Sequence, residues 1–123
     1  MISVVGIEGM CGGTVYNSRT IVTAAHCCKG AEDNGQRMEI VAGTNYFFTM
    51  DESHLSNVSH YLIHPDYNET LHTNDVCLLF VDEDLVFNDN LKSMELNEND
   101  VAADTECVVS GWGSLYVRTY LPT

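Results

Sequence analysis

Eight short runs rich in β-branched, apolar or aromatic residues, at 2–7, 14–16, 20–23, 38–41, 46–49, 58–63, 76–81 and 107–110, alternate with turn-forming or acidic residues. A chain punctuated this way satisfies its backbone by pairing short strands, which predicts an all-β antiparallel barrel or sandwich and disfavours alternating βαβ units. No helical period is sustained, and at most one helical turn is expected, just after His26. Asn17-Ser18-Arg19 reads as a hairpin turn. Gly12-Gly13 marks either a close backbone approach or a bulge. The acidic and Asn-rich stretches 82–84 and 88–100 read as surface loops. There is no internal repeat and no low-complexity tract.

The 123 residues fit one domain with a real core, and 45% hydrophobic against 19% charged residues describes a globular chain. Eighteen Asp and Glu oppose five Lys and Arg, a formal −13. That surface repels polyanions, which excludes nucleic acid and anionic membrane as partners. No apolar run reaches membrane-spanning length. Five cysteines in so short a chain point to an oxidising, extracellular compartment, and the odd count leaves at least one thiol without an internal partner. Two sequons, starting at Asn57 and Asn68, are glycosylation candidates consistent with secretion. Because residues 1–8 read as a strand and lack the features of a signal peptide, further sequence is expected upstream.

Three segments carry chemistry. In Thr23-Ala24-Ala25-His26-Cys27, two small residues leave room for an imidazole to pack against backbone at the end of a strand. Histidine suits general-base work because it titrates near neutrality. In Asn74-Asp75-Val76-Cys77-Leu78-Leu79, a carboxylate opens a strongly apolar strand and therefore needs hydrogen-bond donors at the core's rim. Taken alone, this aspartate could equally cap a turn, and His26 could be structural. Gly111-Trp112-Gly113 on its own is a turn around an aromatic residue.

Taken in order with Cys11-Gly12-Gly13-Thr14 and His64-Pro65-Asp66-Tyr67-Asn68, these segments resemble the trypsin/chymotrypsin family of serine proteases, from about residue 2 to about residue 113. The resemblance implies the N-terminal barrel of a two-barrel fold over 1–113, with 114–123 starting the connection to a second barrel. It implies a serine endopeptidase in which His26 is the general base and Asp75 its orienting carboxylate, the His, Asp, Ser order and mechanism being the family's own. The family's nucleophile lies in Gly-Asp-Ser-Gly-Gly, and none of the serines at 3, 18, 53, 56, 59, 93, 110 and 114 has that context. The chain is therefore expected to be a fragment, inactive alone, with protein or peptide as the substrate of the whole enzyme and no cofactor. Its primary specificity pocket would lie in the second barrel, and apolar surface should be exposed where that barrel packs. Calcium binding, known in some members, is not expected, because Gly43-Thr44-Asn45 opens the relevant loop without a carboxylate and only Asp51-Glu52 lie near its far end.

The resemblance also pairs Cys11 with Cys27. Cys28 and Cys77 are extras, each two residues beyond a proposed triad member, so a His26–Asp75 hydrogen bond would bring them together and predicts a Cys28–Cys77 bridge. The alternative is two unpaired thiols, one of them a buried small hydrophobe. Cys107 then remains, expected to pair only with the second barrel. Two rival functions stand beside the protease: a catalytically inactive binding module on the same barrel, and a metal site on His26, Cys27 and Cys28, whose adjacent ligands make poor chelate geometry.

Overall fold

The computed structural model describes residues 2–6, 9–45 and 54–113. Its strands are β1 (Ile2–Gly6), β2 (Gly9–Val15), β3 (Thr20–Thr23), β4 (Glu39–Ala42), β5 (Leu55–Ile63) and β6 (Cys77–Val81), with helix α1 (Ala25–Asp33) between β3 and β4. They close into an antiparallel barrel in the order β1-β2-β3-β6-β5-β4. Two three-stranded meanders are joined at both edges, by β3–β6 pairing (Thr23 opposite Cys77) and by β1–β4 pairing (Ile2 opposite Ala42). Each strand described pairs with a neighbour on both sides over part of its length, and such closure is how a small all-β domain limits edge-to-edge association.

The core follows the two-residue period of strands. Cys77, Leu79 and Val81 of β6 are buried while Leu78 and Phe80 are half-buried. Ile21, Ile40, Val41, Leu79 and Val81 are the largest fully buried aliphatic side chains. On β5 the alternation slips by one residue, because Ser59 and His60 are both exposed. The register shifts there, with Val58 opposite Val81 and His60 opposite Phe80, so β5 carries one extra residue in a bulge. The Ser59 hydroxyl donates to the Phe80 carbonyl at 3.0 Å, and the His60 and Phe80 rings stack with centroids 4.6 Å apart.

Asn17-Ser18-Arg19 forms the β2–β3 hairpin turn, in which the Tyr16 amide donates to the Thr20 carbonyl at 2.9 Å and the Arg19 amide donates to Asn17 Oδ1 at 2.9 Å. Of the two adjacent glycines, only Gly13 marks a close approach. A Cβ there would lie 3.0 Å from both Ile21 Cγ2 and the Val22 carbonyl oxygen, whereas one on Gly12 meets open space. Because Ile21 is fully buried and Val22 contributes backbone, neither can retreat cheaply. Gly13→Ala is expected to destabilise the barrel by about 1–3 kcal/mol and Gly12→Ala by far less, read from denaturant midpoints.

Three expectations are corrected. Helix α1 runs nine residues, well beyond the single turn expected after His26. Its buried residues are Ala25, Cys28 and Ala31, a three-residue spacing of small side chains that gives almost no apolar signal in the sequence. It ends in a Schellman turn: Gly35 takes φ +62°, its amide donates to the Glu32 carbonyl at 3.1 Å, and the Gln36 amide donates to the Ala31 carbonyl at 2.8 Å. Second, 107–110 is not a strand; Val108 and Val109 are 93% and 96% exposed, with no strand to pair with among the described residues. Third, β2 and β5 begin earlier than the apolar runs suggested, because ladder pairing carries Gly9 and Leu55 into strands. The run at 46–49, Asp51-Glu52 of the calcium reading, and the connection at 114–123 lie outside the described residues.

Beyond β6 the chain is irregular but tied to the barrel. The Leu85 amide donates to the Ser18 carbonyl at 2.7 Å, the Met94 amide to the Val15 carbonyl at 2.8 Å, and Trp112 Nε1 to the Asn45 carbonyl at 2.7 Å. Several large apolar side chains in this stretch, among them Val86, Met94 and Leu96, are well exposed.

Candidate active site

His26 is the second residue of α1, and Asp75 lies two residues before β6. The barrel brings them together because β3 pairs with β6 where the chain leaves β3 for the helix, Thr23 standing opposite Cys77. His26 Nδ1 lies 2.7 Å from Asp75 Oδ2, and the His26 backbone amide donates to Asp75 Oδ1 at 2.8 Å. The second bond solves a local problem. Ala24 precedes the helix with no side chain able to cap it, and the first turn contains no acidic residue. Asp75 therefore caps α1 from another element, placing negative charge at the positive end of the helix.

These donors hold the Asp75 carboxyl below its ordinary value, the His26 ring hydrogen bond contributing most, then the His26 amide, against a smaller opposing effect of burial. An ionised carboxylate can only accept, so Nδ1 carries a proton, and in the neutral imidazole the lone pair is then on Nε2. Nε2 makes no hydrogen bond among the described residues, and the His26 side chain is 58% exposed. A carboxyl whose pKa is lowered on folding stabilises the fold above its unfolded value, about 3.9 for aspartate, and loses that contribution as pH falls through the lower folded value. Wild type should therefore exceed Asp75→Asn in stability above about pH 4, and the gap should close below it, checked by denaturant melts across pH.

The segment 64–76 explains why the two downstream motifs belong together. His64 Nδ1 accepts from the Asp66 amide at 3.0 Å, the His64 amide donates to the Val76 carbonyl at 2.9 Å, and Asn74 Nδ2 donates to the Asp66 carbonyl at 3.0 Å. Asn74 itself takes φ +53°, a left-handed conformation that asparagine tolerates better than most residues. Asp75 is thus gripped on both sides by backbone anchored at His64 and Asp66. Sequence reasoning did not assign a role to Tyr67. Its hydroxyl is buried with no hydrogen-bond partner among the described residues, and burial, then the Asp75 charge, raise its pKa and keep it a neutral phenol. The HPDY motif was the available signal, but nothing in it shows that the ring turns inward.

The four cysteines next to these residues are linked as Cys11–Cys27 and Cys28–Cys77, with Cα separations of 6.4 and 6.7 Å, and Cys107 is free and exposed. Ligand atoms of Cys11, His26 and Cys27 lie within 4.8 Å of one another, but the two sulfurs share a disulfide and offer no thiolate to a metal. Cys28, the remaining ligand of the metal reading, is bonded to Cys77. Of the sequons, Asn57 is exposed on β5, and Asn68 is exposed with its Oδ1 accepting from the Thr70 and Leu71 amides at 3.0 and 2.9 Å. An open groove of about 980 Å³ runs past Asp75, lined by Gly13, Thr23, Ala24, Val76, Met94 and Trp112 among others.

A closed antiparallel barrel with a histidine–aspartate pair at its rim is what the resemblance to the trypsin/chymotrypsin family implies, and comparison with known proteins shows the family. The trypsin family model matches residues 1–122. Hypodermin-A of Hypoderma lineatum is 35% identical over 107 residues, 87% of this chain and 40% of that protein. Trypsin zeta of Drosophila erecta is 37% identical over 112 residues, 89% of this chain and 39% of that protein. Serine protease 28 of Mus musculus is 31% identical, covering 91% of this chain and 41% of its own length. The chain belongs to the trypsin family, and it spans about two fifths of the length of these relatives.

Proposed function

We propose that this chain supplies the general base and the orienting acid of a secreted serine endopeptidase whose nucleophile and specificity pocket lie outside these 123 residues. The observation that carries the reading is the two-point grip of Asp75 on His26, on the ring and on the backbone amide. It holds the imidazole with Nδ1–H donating and Nε2 free to take the proton of a serine hydroxyl as that oxygen attacks an amide carbonyl. Asp75 then stabilises the imidazolium, and the same Nε2 returns the proton to the leaving amine. The missing Gly-Asp-Ser-Gly-Gly context and the two-fifths coverage support a nucleophile supplied from elsewhere. Two disulfides, two sequons and the family support an extracellular setting, with protein or peptide as substrate.

Labelling by a serine-directed phosphonate tests this. The chain alone should show no labelling and no turnover of peptide amides. Joined to the second barrel of a family member, it should be labelled at the supplied serine. Labelling of one of its own serines, or an inert joined protein that is correctly folded, would defeat the reading, the latter outcome favouring the binding module.

A further inference from the structure

The two disulfides tie consecutive residues of α1 to different strands, Cys27 to Cys11 on β2 and Cys28 to Cys77 on β6. Only the second spans the two segments that carry His26 and Asp75. Both its cysteines are fully buried, and it joins positions 49 residues apart, the same separation as His26 and Asp75. Besides the Asp75 cap on the His26 amide and a Tyr61–Glu32 hydrogen bond, α1 is held non-covalently, among the described residues, only by small buried side chains, Ala25, Cys28 and Ala31. A helix of nine residues is marginal by itself, so its placement must come from its attachments. The 2.7 Å ring contact, meanwhile, weakens steeply with a displacement of well under 1 Å.

We propose that Cys28–Cys77 is a positioning clamp for the His26–Asp75 pair, a covalent strut holding the first turn of α1 against the start of β6. The inference rests on the catalytic reading of His26 and Asp75. The clamp fixes the distance across which Nδ1–H donates, and through it the tautomer that leaves Nε2 as the base. Cys11–Cys27 provides an internal control, because it anchors the same turn to β2 and leaves the link between α1 and β6 intact.

The experiment is NMR of the full chain, following the low-field Nδ1–H proton of His26 and the carboxyl titration of Asp75. The samples are wild type, Asp75→Asn, the double variant Cys28→Ala/Cys77→Val and the double variant Cys11→Ala/Cys27→Ala. Wild type should show the low-field proton, and Asp75→Asn should lose it. Cys28→Ala/Cys77→Val should lose it too, with the Asp75 midpoint rising toward the ordinary carboxylate range, while Cys11→Ala/Cys27→Ala keeps both signatures. Retention of both signatures without the Cys28–Cys77 bridge overturns the clamp. Absence of an Asp75-dependent proton in wild type overturns the catalytic reading instead. Should Cys28→Ala/Cys77→Val not fold, native-state hydrogen exchange of wild type decides. The clamp requires the His26 amide to exchange only through global unfolding while Glu32 and Asp33 exchange through local opening, and equal ease of exchange at His26 and Asp33 overturns it.

Discussion

In a protein completed with a family second barrel, His26→Ala is expected to lower kcat on the order of 10⁶-fold and Asp75→Asn about 10⁴-fold, magnitudes taken over from triad proteases rather than from this geometry. The ranking does follow from the geometry. Removing the imidazole deletes the acceptor of the serine proton outright. Asp75→Asn keeps the size of the side chain but replaces an obligate acceptor with a group that can also donate. The ring can then rotate or protonate at Nε2, and the 2.7 Å contact no longer selects one tautomer. Asp75→Asn also weakens the cap on the His26 amide, so stability should fall alongside rate. Steady-state kinetics should place the loss in kcat with little change in KM, because neither residue is proposed to bind substrate in the ground state. A His26→Ala protein retaining even a tenth of wild-type kcat would remove this histidine from the mechanism.

Removing Cys28–Cys77 is expected to destabilise the chain by about 4 kcal/mol and removing Cys11–Cys27 by about 3 kcal/mol, from the loop-closure entropy of cross-links spanning 49 and 16 residues. The longer loop restricts the unfolded chain more, and Cys28 and Cys77 are also both fully buried, so truncating them leaves unfilled space. Against the roughly 5–15 kcal/mol of net stability usual for a single domain, either loss is large. Urea titrations of Cys28→Ala/Cys77→Ala and Cys11→Ala/Cys27→Ala should show both midpoints lowered and the Cys28–Cys77 midpoint lowered further. The reverse order would mean that local packing, rather than chain entropy, sets the size of these effects.

The 86–109 stretch leaves large apolar side chains exposed, Val86, Met94, Leu96 and Val101 among them. Val108 and Val109 are the most exposed of these, at 93% and 96%. Their composition reads as a strand, yet a strand exists only where a second backbone meets it, and none does among the described residues.

What the sequence determined by itself is local. The strongly apolar run at 76–81 marked a strand, Asn17-Ser18-Arg19 set a turn, and the 23–27 and 74–79 motifs marked the two residues on which the proposed chemistry rests. Helix α1 escaped that reading because its buried face is made of alanine and cysteine, whose small surfaces generate little periodic contrast. The bulge at Ser59 escaped it because one extra residue is defined only against the partner strand. Tertiary structure alone decided the closure of the barrel, the capping of α1 by Asp75, the inward turn of Tyr67 and the close approach at Gly13. Each joins residues distant in the chain, and such contacts depend on which strands pair and in what register. The 2.7 Å between His26 and Asp75 is of this kind: the residue types were legible in the sequence, and the pairing of β3 with β6 makes them neighbours.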